Sequence, residues 1–154
     1  MAVVFSGVAM VAVVGFSGYR SAKVQAASEA LQKDMEARTG AAMRWMALTE
    51  TNAVRTLAVI LSSDPSVEEE FKDPMAATSA QISEVQKSLE SMALREADKA
   101  QMGRIAEARS AMLALRGEAR KITAGGRVDE ATALVKQKYV PASNAYLQHL
   151  RDFV

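Results

Sequence analysis

Met102–Thr123 reads MGRIAEARSAMLALRGEARKIT, and the fold turns on how this stretch is read. On a helix of about 100° per residue, Ile105, Ala108, Met112, Leu115, Ala119 and Ile122 gather on one side, while Glu107, Ser110, Glu118 and Lys121 take the other. The spacing predicts an amphipathic helix with one buried stripe. Arg109 and Arg116 fall inside the apolar arc, about 10 Å apart along the axis by helical rise. No Asp or Glu shares that stripe. Two guanidiniums on a core-facing stripe either snorkel out along their aliphatic stems or call for an anion.

Working outward, the composition bounds the class. The 154 residues make room for one domain, with nine methionines, few aromatics and no alternating β-branched runs bounded by turns. An all-α chain follows. With no cysteine there is no disulfide framework and no thiol nucleophile, and a single histidine cannot build a His-rich metal site. No metal and no cofactor are expected. A net charge of +1 lacks the basic excess of a nucleic-acid binder.

Residues 2–19, AVVFSGVAMVAVVGFSGY, carry no charge and are followed by Arg20 and Lys23. The run predicts a transmembrane helix over residues 1–20, since a cleaved signal peptide would need a basic leader and a better cleavage site. The absent basic flank leaves membrane orientation unread. Residues 21–154 then form the domain that follows this helix. Its first helix runs from about Ser21 to Ser63 with two apolar stripes. One holds Arg38, Ala41, Trp45, Leu48, Asn52, Arg55 and Val59; the other holds Met43, Met46, Val54, Leu57 and Leu61. Two apolar faces predict two neighbours: the bundle itself, and the same helix of a second subunit in a homodimer or small homo-oligomer.

Asp64–Pro74, DPSVEEEFKDP, reads as a solvated acidic break bracketed by prolines. A second helix is expected from about Met75 to Arg95, with Thr78, Ile82, Val85, Leu89 and Met92 on its stripe and Ser79 beside it. A turn near Glu96–Lys99 leads to the third helix, which Thr123-Ala-Gly-Gly-Arg127 terminates. The fourth begins at Val128-Asp129-Glu130 and carries Val128, Ala131, Val135, Tyr139, Ala142, Tyr146 and Phe153 inward. Pro141 inside that pattern should kink the helix or open its hydrogen-bond ladder. His149 at the stripe's edge reads as a partly buried imidazole.

Short connections between four amphipathic helices predict an antiparallel up-down-up-down four-helix bundle, preceded by the transmembrane helix. Matching residues across the turns brings Arg116 level with Thr78 and Val135, and Arg109 level with Val85 and Ala142. Tyr139 falls between the arginines and Tyr146 one turn beyond. Asn52 and Arg55 reach the same zone. All four helices thus direct polar groups inward in the half of the bundle far from the membrane.

This arrangement resembles the ligand-binding domain of bacterial methyl-accepting chemotaxis proteins. The resemblance spans nearly the whole chain and rests on the leading apolar segment, Asn52-Ala-Val-Arg55, Gly126-Arg-Val-Asp-Glu-Ala131, Tyr139-Val-Pro141 and Asn144-Ala-Tyr-Leu147. It implies a periplasmic sensor anchored in the inner membrane, paired as a dimer, that binds small attractants in its membrane-distal half. Proteins of this kind continue into a second membrane helix, a HAMP linker and a cytoplasmic signalling hairpin, which lie outside this sequence.

The function expected is recognition of a small carboxylate. A guanidinium grips a carboxylate through two parallel hydrogen bonds. Arg109 and Arg116 are the expected clamp, helped by Arg55, with Tyr139, Tyr146, Thr78, Ser79 and Asn52 as further polar contacts. With no acid nearby to hold an ammonium, di- or tricarboxylates such as malate, succinate or citrate suit the stripe better than amino acids. The alternatives are an amino-acid sensor, the input domain of a sensor histidine kinase, and a ligand-free, membrane-anchored oligomerisation module. An enzyme has no support, because no paired carboxylates, catalytic triad or phosphate loop can be placed.

Overall fold

The computed structural model describes the backbone of residues 4–62 and 64–154 and the side chains among them from residue 21 onward. The membrane-helix expectation for residues 1–20 lies outside the residues whose side chains are described. Among the described residues no helix is long and apolar enough to cross a membrane. The chain divides into two units, Met1–Arg38 and Thr39–Val154. In the first, side chains 21–37 are all exposed, and the Gln25–Glu29 and Gln32–Glu36 hydrogen bonds link successive turns.

The second unit is a four-helix bundle. Its helices are α1 (Val4–Leu61, entering the bundle at Thr39), α2 (Pro65–Glu90), α3 (Glu96–Ala124) and a composite fourth helix. The fourth consists of α4 (Val128–Leu134), a π-helical turn (Val135–Tyr139) and α5 (Val140–Arg151). Side-chain bonds establish an antiparallel ring. Asn52 and Arg55 of α1 reach Ser79 and Thr78 of α2. Arg109 of α3 reaches Ser83 and Gln86 of α2. Gln101 of α3 donates to the His149 carbonyl of α5, and Trp45 of α1 donates to Tyr146 of α5. Trp45, Ile60, Leu89, Ile105, Ala119, Ala131, Val135 and Leu150 are among the fully or nearly fully buried core residues. Buried alanines at 119 and 131 permit close approach of α3 and the fourth helix.

Three boundaries depart from the sequence reading. The stretch read as an acidic break is helical from Pro65 onward, because Asp64 caps α2 by accepting from the Ser66 N–H at 2.9 Å and Pro65 occupies the first helical position. The acidic residues of that stretch are therefore on the opening turns of α2, where negative charge complements the helix dipole. Pro74 lies inside α2 and does not end it. Helix α2 stops at Glu90, and Glu96–Lys99 is the first turn of α3, held by Arg95–Asp98 and Lys99–Glu96 pairs.

The glycine stop is as expected. Gly126 adopts φ 77°, the left-handed conformation that favours glycine. Arg127 N–H then bonds Ile122 O at 3.2 Å and Gly126 N–H bonds Thr123 O at 2.9 Å, the paired closure of a Schellman motif.

Pro141 opens the ladder, and the form this takes is the π turn. Val140 N–H reaches back five residues to Val135 O. The wider turn accommodates a ring that has no N–H to give and would crowd the carbonyl one turn earlier. It also alters the inward face: Ser143, Leu147 and Leu150 join Tyr146 in the core, while Val128, Ala142 and Phe153 are only half-buried. Pro141 itself is exposed. Pro141→Ala should therefore fold with its melting temperature held or raised, a gain between zero and about 3 kcal/mol as one backbone donor is restored. A lower melting temperature would show that the bundle needs the proline's fixed backbone angle.

Candidate functional site

Trp45, Thr49, Asn52 and Thr56 follow one another at helical spacing along the inner face of α1, and all four are buried. This face lies about one residue round from the stripe inferred from sequence, so Leu48 and Arg55 sit at its half-buried edge. Across from it, α3 contributes Arg109 and Arg116, and the fourth helix contributes Tyr139 and Tyr146, each 1% exposed.

These groups surround a cavity of about 20 Å³, whose lining includes Thr49, Asn52, Thr56, Ser79, Arg109, Arg116, Tyr139 and Tyr146. That is room for roughly one water molecule. Six of the eight residues expected from sequence converge here: Asn52, Ser79, Arg109, Arg116, Tyr139 and Tyr146. Arg55 and Thr78 do not line it. Arg55 Nη1 donates to Thr78 Oγ1 at 2.8 Å and to the Pro74 carbonyl at 3.3 Å, clasping α1 to α2. Thr49 and Thr56 were not singled out from sequence. Their only signal was the Trp45–Thr49–Asn52–Thr56 spacing, which threonine, common on helix surfaces, does not advertise.

The hydrogen bonds divide the polar groups into satisfied and unsatisfied. Tyr146 OH accepts from Trp45 Nε1 and from Thr49 Oγ1 at 3.5 Å. The two rings meet edge to face, with centroids 6.4 Å apart at 72°. Asn52 Nδ2 donates to the Met75 carbonyl at 3.1 Å and to Ser79 Oγ at 3.2 Å. This orients its Oδ1 the other way, buried and without a partner. Thr56 Oγ1 lies near enough to the Tyr139 hydroxyl to favour its ionised form, yet the contact falls short of hydrogen-bond geometry and leaves that oxygen unpartnered as well.

The two cavity arginines also differ. Arg109 is satisfied by neutral acceptors, Gln86 Oε1 at 2.7 Å and Ser83 Oγ at 3.1 Å. Arg116 makes no hydrogen bond or ion pair with any described residue, although it is half-buried. Burial holds its guanidinium below the ordinary arginine range. The Tyr139 hydroxyl opposes that shift, while the cations Arg120 and Arg109 add to it. No carboxylate lines the cavity. Among the described residues, no group of three or more His, Cys, Asp or Glu side chains could hold a metal ion.

Both tyrosines are pushed above the usual phenol range by burial. For Tyr139, Thr56 and Arg116 partly offset this; for Tyr146, Thr49, Trp45 and Arg109 do. The phenol pKa is thus higher folded than unfolded, so the folded state resists losing these protons. The stability involved is fully present below the unfolded value of about 10 and is lost as pH rises through the folded values. Denaturant titrations from pH 8 to 11 should show stability falling above about pH 10, with a shallower fall in the Tyr139→Phe, Tyr146→Phe double variant. Separately, Tyr146→Phe keeps the ring but leaves the Trp45 N–H buried without its acceptor, and should cost about 1–3 kcal/mol by chemical denaturation.

A family model described as a four-helix-bundle sensory module for signal transduction matches residues 1–154. No curated protein matches the chain.

Proposed function

We propose that this chain, which belongs to the four-helix-bundle sensory modules of chemotaxis signal transducers, senses a small organic acid in the cavity between its helices. The ligand class is a di- or tricarboxylate such as malate, succinate or citrate. In this reading residues 1–20 anchor the chain in the inner membrane, the bundle is periplasmic, and ligand binding is passed across the membrane. The family is a signalling module and not a catalytic one.

One observation carries the ligand class: Arg116 is a half-buried guanidinium with two cations nearby and no anionic or hydrogen-bonding partner among the described residues. A carboxylate would supply the missing charge and a two-point hydrogen bond. Arg109 is the second contact, exchanging its neutral acceptors for a charged one, and Tyr139, Tyr146, Ser79 and Asn52 border the same space. Arg55 and Thr78 hold α1 to α2 beside the site, away from the ligand. Because the cavity holds only about one water, the acid has to displace side chains to enter, and binding therefore shifts the packing of the helices.

Asn52 Oδ1 and Thr56 Oγ1 favour a second reading. They are unpartnered acceptors suited to an α-ammonium, so an amino acid is the alternative ligand. Neither is charged, which favours the pure acids.

Calorimetry with malate, succinate, citrate and aspartate tests both readings. Arg116→Ala should weaken the best ligand at least about tenfold, because a charge-assisted hydrogen bond contributes roughly 1.5–3 kcal/mol and ~1.4 kcal/mol is one decade. Arg116→Lys should rescue only in part, lacking the planar fork. Arg127→Ala, which removes an exposed pair with Glu130, should change nothing. A bound acid should also raise the melting temperature. Unchanged affinity in Arg116→Ala would sink the site, and a preference for aspartate would favour the amino-acid reading. No thermal shift with any acid would leave the ligand-free oligomer.

The partner we propose is a second copy. Met43, Val54 and Leu61 are 54%, 67% and 46% exposed on one face of α1, with Met46 and Leu57 half-buried beside them. Residues 21–154 should form a weak dimer through this face, seen as a mass that rises with concentration in sedimentation runs and rises further with ligand. A strict monomer at high concentration, with and without acid, would remove the dimer.

A further inference from the structure

Arg116 and Ser79 line more than the inner cavity. Both also line a groove of about 440 Å³ between α2 and α3, to which Val59, Met75 and Ala76 add apolar surface. The charged residues of the groove are Lys72, Arg116, Arg120 and one acid, Glu68. Glu68, on the opening turns of α2, forms an ion pair with Arg120 of α3. Arg120 lies one helical turn beyond Arg116 on the same helix, so its guanidinium adds to the positive charge around Arg116. The site thus holds one carboxylate already, covalently tied to α2. It neutralises the outer guanidinium and leaves the inner one without an anion among the described residues.

The groove has the volume that the inner cavity lacks. The Glu68–Arg120 pair is also weakly held: its side chains are 48% and 43% exposed, and ion pairs this open to water contribute little and are readily exchanged. We propose that the α2–α3 groove is the mouth of the carboxylate site and that Glu68 is a built-in competitor for the incoming acid. One ligand carboxylate takes Arg120 from Glu68, and the other lies between Arg116 and Arg109, the two arginines that line the inner cavity. The inference rests on the carboxylate reading of the site. Its consequence is mechanical. Releasing Glu68 removes the ion pair that joins the start of α2 to the end of α3, so occupancy of the site changes how two helices are held together.

The test is calorimetric titration of the full chain in detergent, with succinate and with citrate as the probes. Glu68→Gln should tighten both by about twofold to fivefold, the range set by an exposed ion pair. Glu69→Gln makes the same charge change one residue away and should bind like the unaltered chain. Arg120→Gln should weaken both acids. If the unaltered chain binds and loses affinity on Arg116→Ala, but Glu68→Gln binds no tighter than Glu69→Gln, the competitor role is overturned and the carboxylate reading stands. If neither acid binds any of these proteins, both are overturned together.

Discussion

A buried indole N–H must find an acceptor, and in this bundle the Tyr146 hydroxyl supplies it. Trp45 and Tyr146 are among the largest fully buried side chains. Their contact joins the first helix to the last and sets how the two face each other. Once Trp45 points inward, Thr49, Asn52 and Thr56 are carried onto the same inner face by the helical repeat. Once Tyr146 points inward, Tyr139, seven residues earlier at the end of the π turn, falls on the same face through the repeat of α5. The polar lane through the middle of the bundle is therefore a consequence of this one pairing.

That lane is poorly satisfied for a structural core. Among the described residues, two oxygens, Asn52 Oδ1 and Thr56 Oγ1, are buried without partners, and a half-buried guanidinium has no counter-ion. Unpaired buried polar groups weaken a fold. Apolar side chains of similar volume would serve stability better. Departures of this kind from the rules of a good core are expected where a protein binds something. For a sensory module the same departures have a use: packing that is imperfect without ligand has room to change with it.

The aromatic and arginine positions were legible because their side chains recur at helical spacing inside otherwise apolar stripes. Arg109 with Arg116, and Tyr139 with Tyr146, are each separated by two turns, so each pair must share a face. Asn52 and Ser79 could be placed by matching levels across an antiparallel turn. That Arg55 turns away from the cavity was not legible, because it lies only about 60° round α1 from Asn52, at the edge of the same face. A side chain at the edge of a stripe turns toward whichever neighbour offers acceptors, and the Pro74 carbonyl and Thr78 hydroxyl offered them. Thr49 and Thr56 were hidden by a small error in the centre of the stripe. The N-terminus of α2 was misread because two prolines and a run of acids signal a loop as readily as a capped helix start.

The sequence by itself determined that the chain is helical, that four amphipathic helices assemble, and where the glycine turn falls. These follow from periodicity and local turn chemistry, which act over a few residues. Only the tertiary structure decided which polar groups on the inner stripes find partners. Arg109 is satisfied by residues 23 and 26 positions away, while Arg116, on the same stripe of the same helix, finds none among the described residues. Such a difference depends on which side chains the neighbouring helices bring within about 3 Å. It is set by packing distances and rotations that no local pattern encodes.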